Sequence, residues 1–202
     1  MEKSTIYDQY NITHWVPEMI DVLVIGQGLA GSILGWRLIE AGMSVVVVAD
    51  PDGAPTSRTA AGLINPVTGQ RLVKTANVDT LLPEAMALYR NLEHIFGTPF
   101  FHEREMLRLF RSEKEHRIYQ KRRADSAYDS YLGESFESGQ SGAALVDPMG
   151  GFRQFRSGYL DTNALLDCLR GYFQQHECYR QARVNYSELH LETDNVRWRD
   201  IE

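Results

Sequence analysis

Residues Val22–Asp50 read V-L-V-I-G-Q-G-L-A-G-S-I-L-G-W-R-L-I-E-A-G-M-S-V-V-V-V-A-D, and this stretch limits the possible folds more than any other. A continuous apolar run, Val22–Ile25, enters Gly26, Gly28 and Gly31. A helical pattern follows, and a second apolar run, Val45–Val48, leads to an acidic residue. Strands that are apolar on both faces belong in a parallel sheet covered on both sides. The pattern predicts a β-α-β unit with a dinucleotide-binding turn between its first strand and its helix. Gly26 permits the tight turn, and Gly28 lets the main chain approach a pyrophosphate. Gly31 and Gly35 let the helix lie close on the strand. The first-turn N–H groups of the helix lack intrahelical partners, and with the helix dipole they make an anion site. Ala30, Ile33, Leu34, Leu38 and Ala41 are expected inward, with Ser32, Arg37 and Glu40 outward. Gly42 supplies the helix stop.

In such units the acid that bonds the adenosine ribose ends the second strand. Counted from Gly26, that place falls on Ala49, one residue before Asp50. A shift of one residue turns a side chain to the opposite face. Two readings stand. An early strand exit at Pro51 brings Asp50 to the ribose, or Asp50 opens the turn Asp50-Pro51-Asp52-Gly53. No basic residue stands near Asp50 in the sequence, which disfavours a 2′-phosphate and hence NADP.

Residues 51–74 are rich in small residues, Gly and Pro, with little periodicity. A loop of this length is usually functional. Its small side chains let a flat ligand lie against the backbone, and the Ser57 and Thr59 hydroxyls are candidate donors to phosphate oxygens. Further on, Asp79 is expected to cap a helix with Leu81, Leu82, Ala85, Leu88, Tyr89, Leu92 and Phe96 on one stripe, ended by Gly97. Strands are expected at Pro99–Phe101 and Met106–Phe110. Ser112 and Glu115 form a capping box for a charged helix to about Ala124. Residues 125–148 read as loop, with a strand at Phe152–Phe155. Asp161 or Thr162 caps a helix over Ala164–Gln175. Short strands around Tyr179–Val184, Glu188–Leu191 and Val196–Trp198 follow, the last two as a hairpin across Thr193-Asp194-Asn195.

The net charge of −6 over 202 residues argues against a nucleic-acid surface or an anionic-membrane surface. Arg117, Lys121, Arg122 and Arg123 are flanked by Glu113, Glu115 and Asp125 and read as a solvated helix face. No apolar run reaches membrane-spanning length, and no signal-peptide pattern opens the chain. Cys168, on the apolar face of its helix, reads as core; with Cys178 it makes no disulfide framework, so the expected compartment is the cytoplasm. The six histidines show no metal-ligand spacing, and no G-x-S-x-G elbow is present. Residues 1–18 are polar and aperiodic and are expected to be a disordered tail or a product of start-site choice.

The Gly26–Gly31 turn, together with Ser57-Arg58-Thr59-Ala60-Ala61-Gly62-Leu63-Ile64-Asn65-Pro66, resembles the FAD-dependent oxidoreductases of the D-amino-acid oxidase family. The likeness spans roughly residues 20–200. It implies an α/β fold: a Rossmann-like FAD-binding domain with a parallel sheet, plus part of an inserted α+β substrate domain. The segments expected are a tail over 1–18, the βαβ unit and flavin loop over 19–78, the insertion over 79–158 and a return over 159–202. The resemblance implies Gly26, Gly28, Leu29, Ala30 and Gly31 around the FAD pyrophosphate. It implies Thr59, Ala61 and Gly62 along the phosphates and isoalloxazine. Val184 is implied near the adenine, and Asp50 at the ribose if its offset is accommodated. The implied reaction is oxidation of an amine or amino acid by hydride transfer to the flavin; no catalytic side chain is identified. Arg71 and Lys74 read as surface charge or as attractors of a substrate carboxylate, and His102 as structural or substrate-facing. Family members are longer, so the chain is expected to be an N-terminal part of one. Two other readings of the same turn are an NAD-dependent reductase and a non-catalytic nucleotide-binding protein.

Overall fold

Val45–Ala49 carry no polar side chain, and the fold buries all five. The computed structural model describes residues 20–53, 56–142, 144–193 and 195–198. The expected tail over residues 1–18 lies outside them. One compact unit takes the chain up to Ala60 and again from Thr162; the other is Ala61–Asp161.

In the first unit β1 (Val22–Ile25) pairs in parallel with β2 (Val45–Ala49), Val22 opposite Val45 and Ile25 opposite Val48. The helix α1 (Leu29–Glu40) joins them, as the β-α-β reading requires. Its buried face is not the expected one. Ser32, Gly35 and Trp36 are buried, whereas Leu34 is 51% exposed and Ala30 and Ala41 are exposed. The cause is close packing along the small residues. A Cβ on Gly35 would lie 3.0 Å from Val47 Cγ2 and 3.4 Å from Phe173 Cζ. That approach turns the Ser32–Trp36 edge inward, where Trp36 meets Tyr172 edge-on at 4.8 Å. A single helical turn, α2 (Thr56–Thr59), follows β2.

The second unit begins inside the stretch expected to be loop, which forms three short strands. These are β3 (Leu63–Ile64), β4 (Val67–Thr68) and β5 (Val73–Lys74), the last two an antiparallel hairpin. The next helix, α3 (Val78–Phe96), starts after Asn77, which takes a left-handed φ of 56°; Asp79 does not cap it. Starting there puts Val78 on the buried stripe with Leu82, Leu88, Tyr89 and Leu92, and leaves Leu81 59% exposed. Gly97, at φ 62°, ends α3 as expected. The chain continues through β6 (Phe101–Glu103), β7 (Met106–Leu109) and α4 (Glu113–Arg123). The Glu115 N–H donates to Ser112 Oγ at 3.2 Å, and the Glu115 carboxylate accepts from the Arg111 N–H at 3.1 Å. This is the capping box with its return arm moved back one residue. A strand not foreseen, β8 (Leu132–Phe136), precedes β9 (Gly151–Gln154) and β10 (Gly158–Leu160). They form two antiparallel sheets, in the orders β3-β10-β6 and β7-β9-β8. Phe110, Tyr119, Leu132 and Phe152 centre the core of this unit, Tyr119 stacked on Phe152 at 4.7 Å.

The chain then returns to the first unit with α5 (Thr162–Gln175), β11 (Tyr179–Gln181), β12 (Leu189–Leu191) and β13 (Val196–Trp198). β11 joins β2 in parallel, giving the order β1-β2-β11. β12 and β13 pair as the expected hairpin, whose Asp194 lies outside the described residues. Leu165, Leu166, Leu169, Tyr172 and Phe173 are buried as expected, but Cys168 is half-buried rather than core, one position off that face. Burial pushes the Cys178 thiol up to about 11. The architecture is mixed α/β with a parallel sheet.

At the end of α5, burial holds the His176 imidazole below its ordinary value of 6.5, and its Nε2 has no partner among the described residues. As the pH falls through 6.5 the unfolded chain therefore takes up more protons than the folded one. The contribution of His176 to stability is whole above that value and declines below it. His176→Phe keeps a ring against Tyr172, 4.3 Å away, and removes the titration. Melting temperatures measured from about pH 7.5 to about pH 5.5 should fall less steeply in the variant than in the unaltered chain.

Candidate functional site

The Gly26 N–H donates to the Val48 carbonyl at 2.7 Å, which fixes the end of β1 against β2. Gly26 itself takes a φ of +105°, a conformation that side chains rarely adopt. Gly28 is extended and forms the N-cap of α1 without a side-chain cap. Gly31 has no room for a side chain, because a Cβ there would lie 2.0 Å from the Gly26 carbonyl oxygen. The Ser32 N–H, bonded to the Gly28 carbonyl at 2.9 Å, is the first donor satisfied inside the helix. The N–H groups of Ala30 and Gly31 consequently lack an intrahelical acceptor, and Ala30 is exposed. The Leu29 N–H donates to the Ser57 hydroxyl at 3.0 Å.

Two further sets of contacts hold this turn. Gln27, between the two glycines, is only 3% exposed. Its Nε2 donates to the Leu166 carbonyl at 2.9 Å and to the Ser32 hydroxyl at 3.3 Å, and its Oε1 accepts from Arg170 Nε at 2.9 Å. Sequence reasoning missed Gln27, since a polar residue between glycines reads as solvent-facing and its helix partners lie 139 and 143 residues away. The segment after β2 is held by the same helix. The Thr162 hydroxyl donates to the Ser57 carbonyl at 2.7 Å, and Arg58 pairs with Asp167 at 2.6 Å. The Thr59 hydroxyl donates to the Thr56 carbonyl at 3.0 Å, within its own turn, and the residue is exposed.

The end of β2 differs from expectation in two respects. β2 runs in register to Ala49, which sits opposite Gln181 and whose carbonyl accepts from the Ala182 N–H at 3.0 Å, so Pro51 causes no early exit. Asp50 then forms the turn: its Oδ1 accepts from the Asp52 N–H at 3.0 Å, and its carbonyl from the Gly53 N–H at 3.1 Å. Secondly, a basic residue does stand at this point. The exit of β11 brings Arg183 Nε to 3.9 Å from Asp50 Oδ2, a neighbour that only the sheet pairing could supply. Val184 is half-buried against the cluster of Val46, Val48 and Trp198.

The remaining candidates lie in the other unit. Ala61 is exposed; Gly62 has a φ of +63° and lies against Leu160. Arg71 is exposed. Lys74 is committed locally, with Nζ 2.5 Å from Asp79, 3.1 Å from the Ala127 carbonyl and over the rings of Tyr128 and Tyr131. The Tyr131 hydroxyl donates to Asp79 Oδ1 at 2.7 Å. Bonds from Lys74 and Tyr131 hold the Asp79 carboxyl below its usual range; burial and that carboxylate push Tyr131 up to about 12. Lys74 thus joins β5 to α3 as a structural ion pair. His102 lies beside the Tyr159 ring, centroids 4.6 Å apart. Among the described residues no cluster of His, Cys, Asp and Glu has the makings of a metal site, and no helix is long and apolar enough to cross a membrane.

A turn with glycine at positions 26, 28 and 31, leading into helix N–H groups that lack an intrahelical acceptor, fits a pyrophosphate. Among solved structures the chain is similar to a glycine oxidase from Bacillus cereus, at 19% identity and a TM-score of 0.66 over 88% of this chain and 50% of that one. It is also similar to an L-amino acid deaminase from Proteus myxofaciens, at 17% identity and a TM-score of 0.59 over 84% of this chain and 39% of that one. An iminodiacetate oxidase from Chelativorans sp. BNC1 matches at 18% identity and a TM-score of 0.59, over 86% of this chain and 49% of that one. The chain therefore spans half or less of the length of each of these structures, and at such identities the likeness is one of fold. The family model described as FAD dependent oxidoreductase, DAO, matches residues 21–195. That match takes in the glycine turn and the helix that braces it, and the chain belongs to the DAO family of FAD dependent oxidoreductases.

Proposed function

We propose that this chain is the FAD-binding part of an enzyme that oxidises the C–N bond of a small amine or amino acid. The observation that carries the reading is the Gly26–Gly31 turn, with the positive φ of Gly26, the Cβ excluded at Gly31 and the N–H groups of Ala30 and Gly31, which have no acceptor inside the helix. Those groups donate to the pyrophosphate, with Leu29 and Ser57 beside them. Val184 contacts the adenine. Thr59 lies along the phosphates. When bound, FAD supplies the hydride acceptor, and the substrate is left as an imine that water hydrolyses. The half-buried, unbridged Cys168 and Cys178 suit a reducing cytoplasm.

The purified chain should bind FAD, seen as quenching of flavin fluorescence on titration. Gly28→Val should weaken that binding about a hundredfold. Already a Cβ on Gly28 meets Ser57 Oγ at 3.3 Å, and the two methyl groups of valine project further into the hollow. Binding of NADH in place of FAD would favour the reductase reading, and binding of neither would favour a protein without redox chemistry. Full FAD affinity in a folded Gly28→Val variant would remove the turn from the site.

A further inference from the structure

We infer that Gln27 and Arg170 form a positioning pair for the pyrophosphate turn, an inference that rests on the FAD reading above. Gly26 and Gly28 bring no side chain to restrain the main chain, and glycine is the residue with most conformational freedom to lose. Gln27 is the one residue between them with a side chain, and that side chain is directed into the protein. Three hydrogen bonds take up its amide: to the Leu166 carbonyl, to the Ser32 hydroxyl and from Arg170 Nε. A buried amide left short of partners is costly, so the three bonds select one orientation of the side chain and with it one conformation of the turn. The Ser32 contact extends this restraint into the first turn of α1, whose N–H groups face the anion site.

Arg170 contributes in two ways. Its guanidinium is held between Gln27 and the Tyr179 ring, 5.9 Å from the ring centroid, so its direction is fixed. Its positive charge stands behind the turn with the same sign as the helix N-terminus, and the two attract an anion together. Withdrawal of the Gln27 side chain also leaves the outer face of the turn as bare main chain. A donor array fixed before the ligand arrives loses less freedom on binding, which raises affinity without adding any direct contact.

The test uses the full chain and two variants. Gln27→Met keeps the volume and removes all three hydrogen bonds; Arg170→Lys keeps the charge and removes the planar Nε donor. Gln27→Met is expected to raise the FAD dissociation constant about tenfold and Arg170→Lys severalfold, by flavin fluorescence titration. The phosphorus NMR resonances of bound FAD should move in both, while the circular dichroism of the FAD-free protein stays close to the unaltered spectrum. Folded variants with unchanged affinity and unchanged phosphorus resonances would overturn the inference. If neither variant folds, the pair is a determinant of the fold alone, and the inference is overturned by that result as well. An unaltered chain that takes up no FAD overturns the proposed function itself, a result distinguishable from the other two.

Discussion

Gly31→Ala is expected to abolish FAD binding and to lower the stability of the chain by about 3 kcal/mol. The added Cβ would lie 2.0 Å from the Gly26 carbonyl oxygen and 3.2 Å from its carbon. Both are main-chain atoms, so no rotamer change relieves the contact. Relief requires α1 to move off β1 or the turn to open. Moving the helix loosens the close approach at Gly35, where Val47 and Phe173 leave little room for a Cβ. Opening the turn strains the 2.7 Å bond from the Gly26 N–H to Val48. Either response displaces the N–H groups of Ala30 and Gly31 from the hollow. Denaturant unfolding combined with FAD titration measures both effects. A variant within about 1 kcal/mol of the unaltered chain, with full FAD uptake, would show that this packing is dispensable.

Gly62→Ala should cost about 3 kcal/mol in the second unit, and by the same amount with or without FAD. At a φ of +63° alanine is strained, and its Cβ would lie 1.9 Å from the Leu160 carbonyl oxygen. The Gly62 carbonyl accepts from the Leu160 N–H at 2.9 Å, beside the pairing of β3 with β10, so the shift that relieves the clash breaks this bond. Gly62 thus has a reason to be glycine that does not involve a cofactor. Urea unfolding of the FAD-free protein gives the number. A loss that appears only when FAD is present would instead make Gly62 a cofactor contact first.

How far the sequence could be read depended on the reach of each interaction. The turn, β1, β2 and the end of α3 at Gly97 are specified by neighbours within a few residues, through strand apolarity and glycine conformation. Their positions followed directly from the residues. The buried face of α1 did not, because small Gly35 and polar Ser32 face inward only when Val47, Phe173 and Gln27 are in place around them. The strand β8 lay hidden because Leu132–Phe136 contains Gly133, Glu134 and Ser135 in a bulged register, with little alternation to detect. Around the turn, the glycines were legible. Gln27, Arg170 and the Arg183–Asp50 pair were not, since each joins elements more than 100 residues apart in the chain.

The dependence of the Gln27 side chain on α5 has a consequence for the order of events on the ribosome. Translation proceeds at about 5–20 residues per second. The contact from Gln27 to Arg170, 143 residues later, therefore cannot form until on the order of ten seconds after the glycine turn has been synthesised. During that interval the nascent strand–helix pair is an open clasp with its catch still unmade, closed only once α5 has emerged.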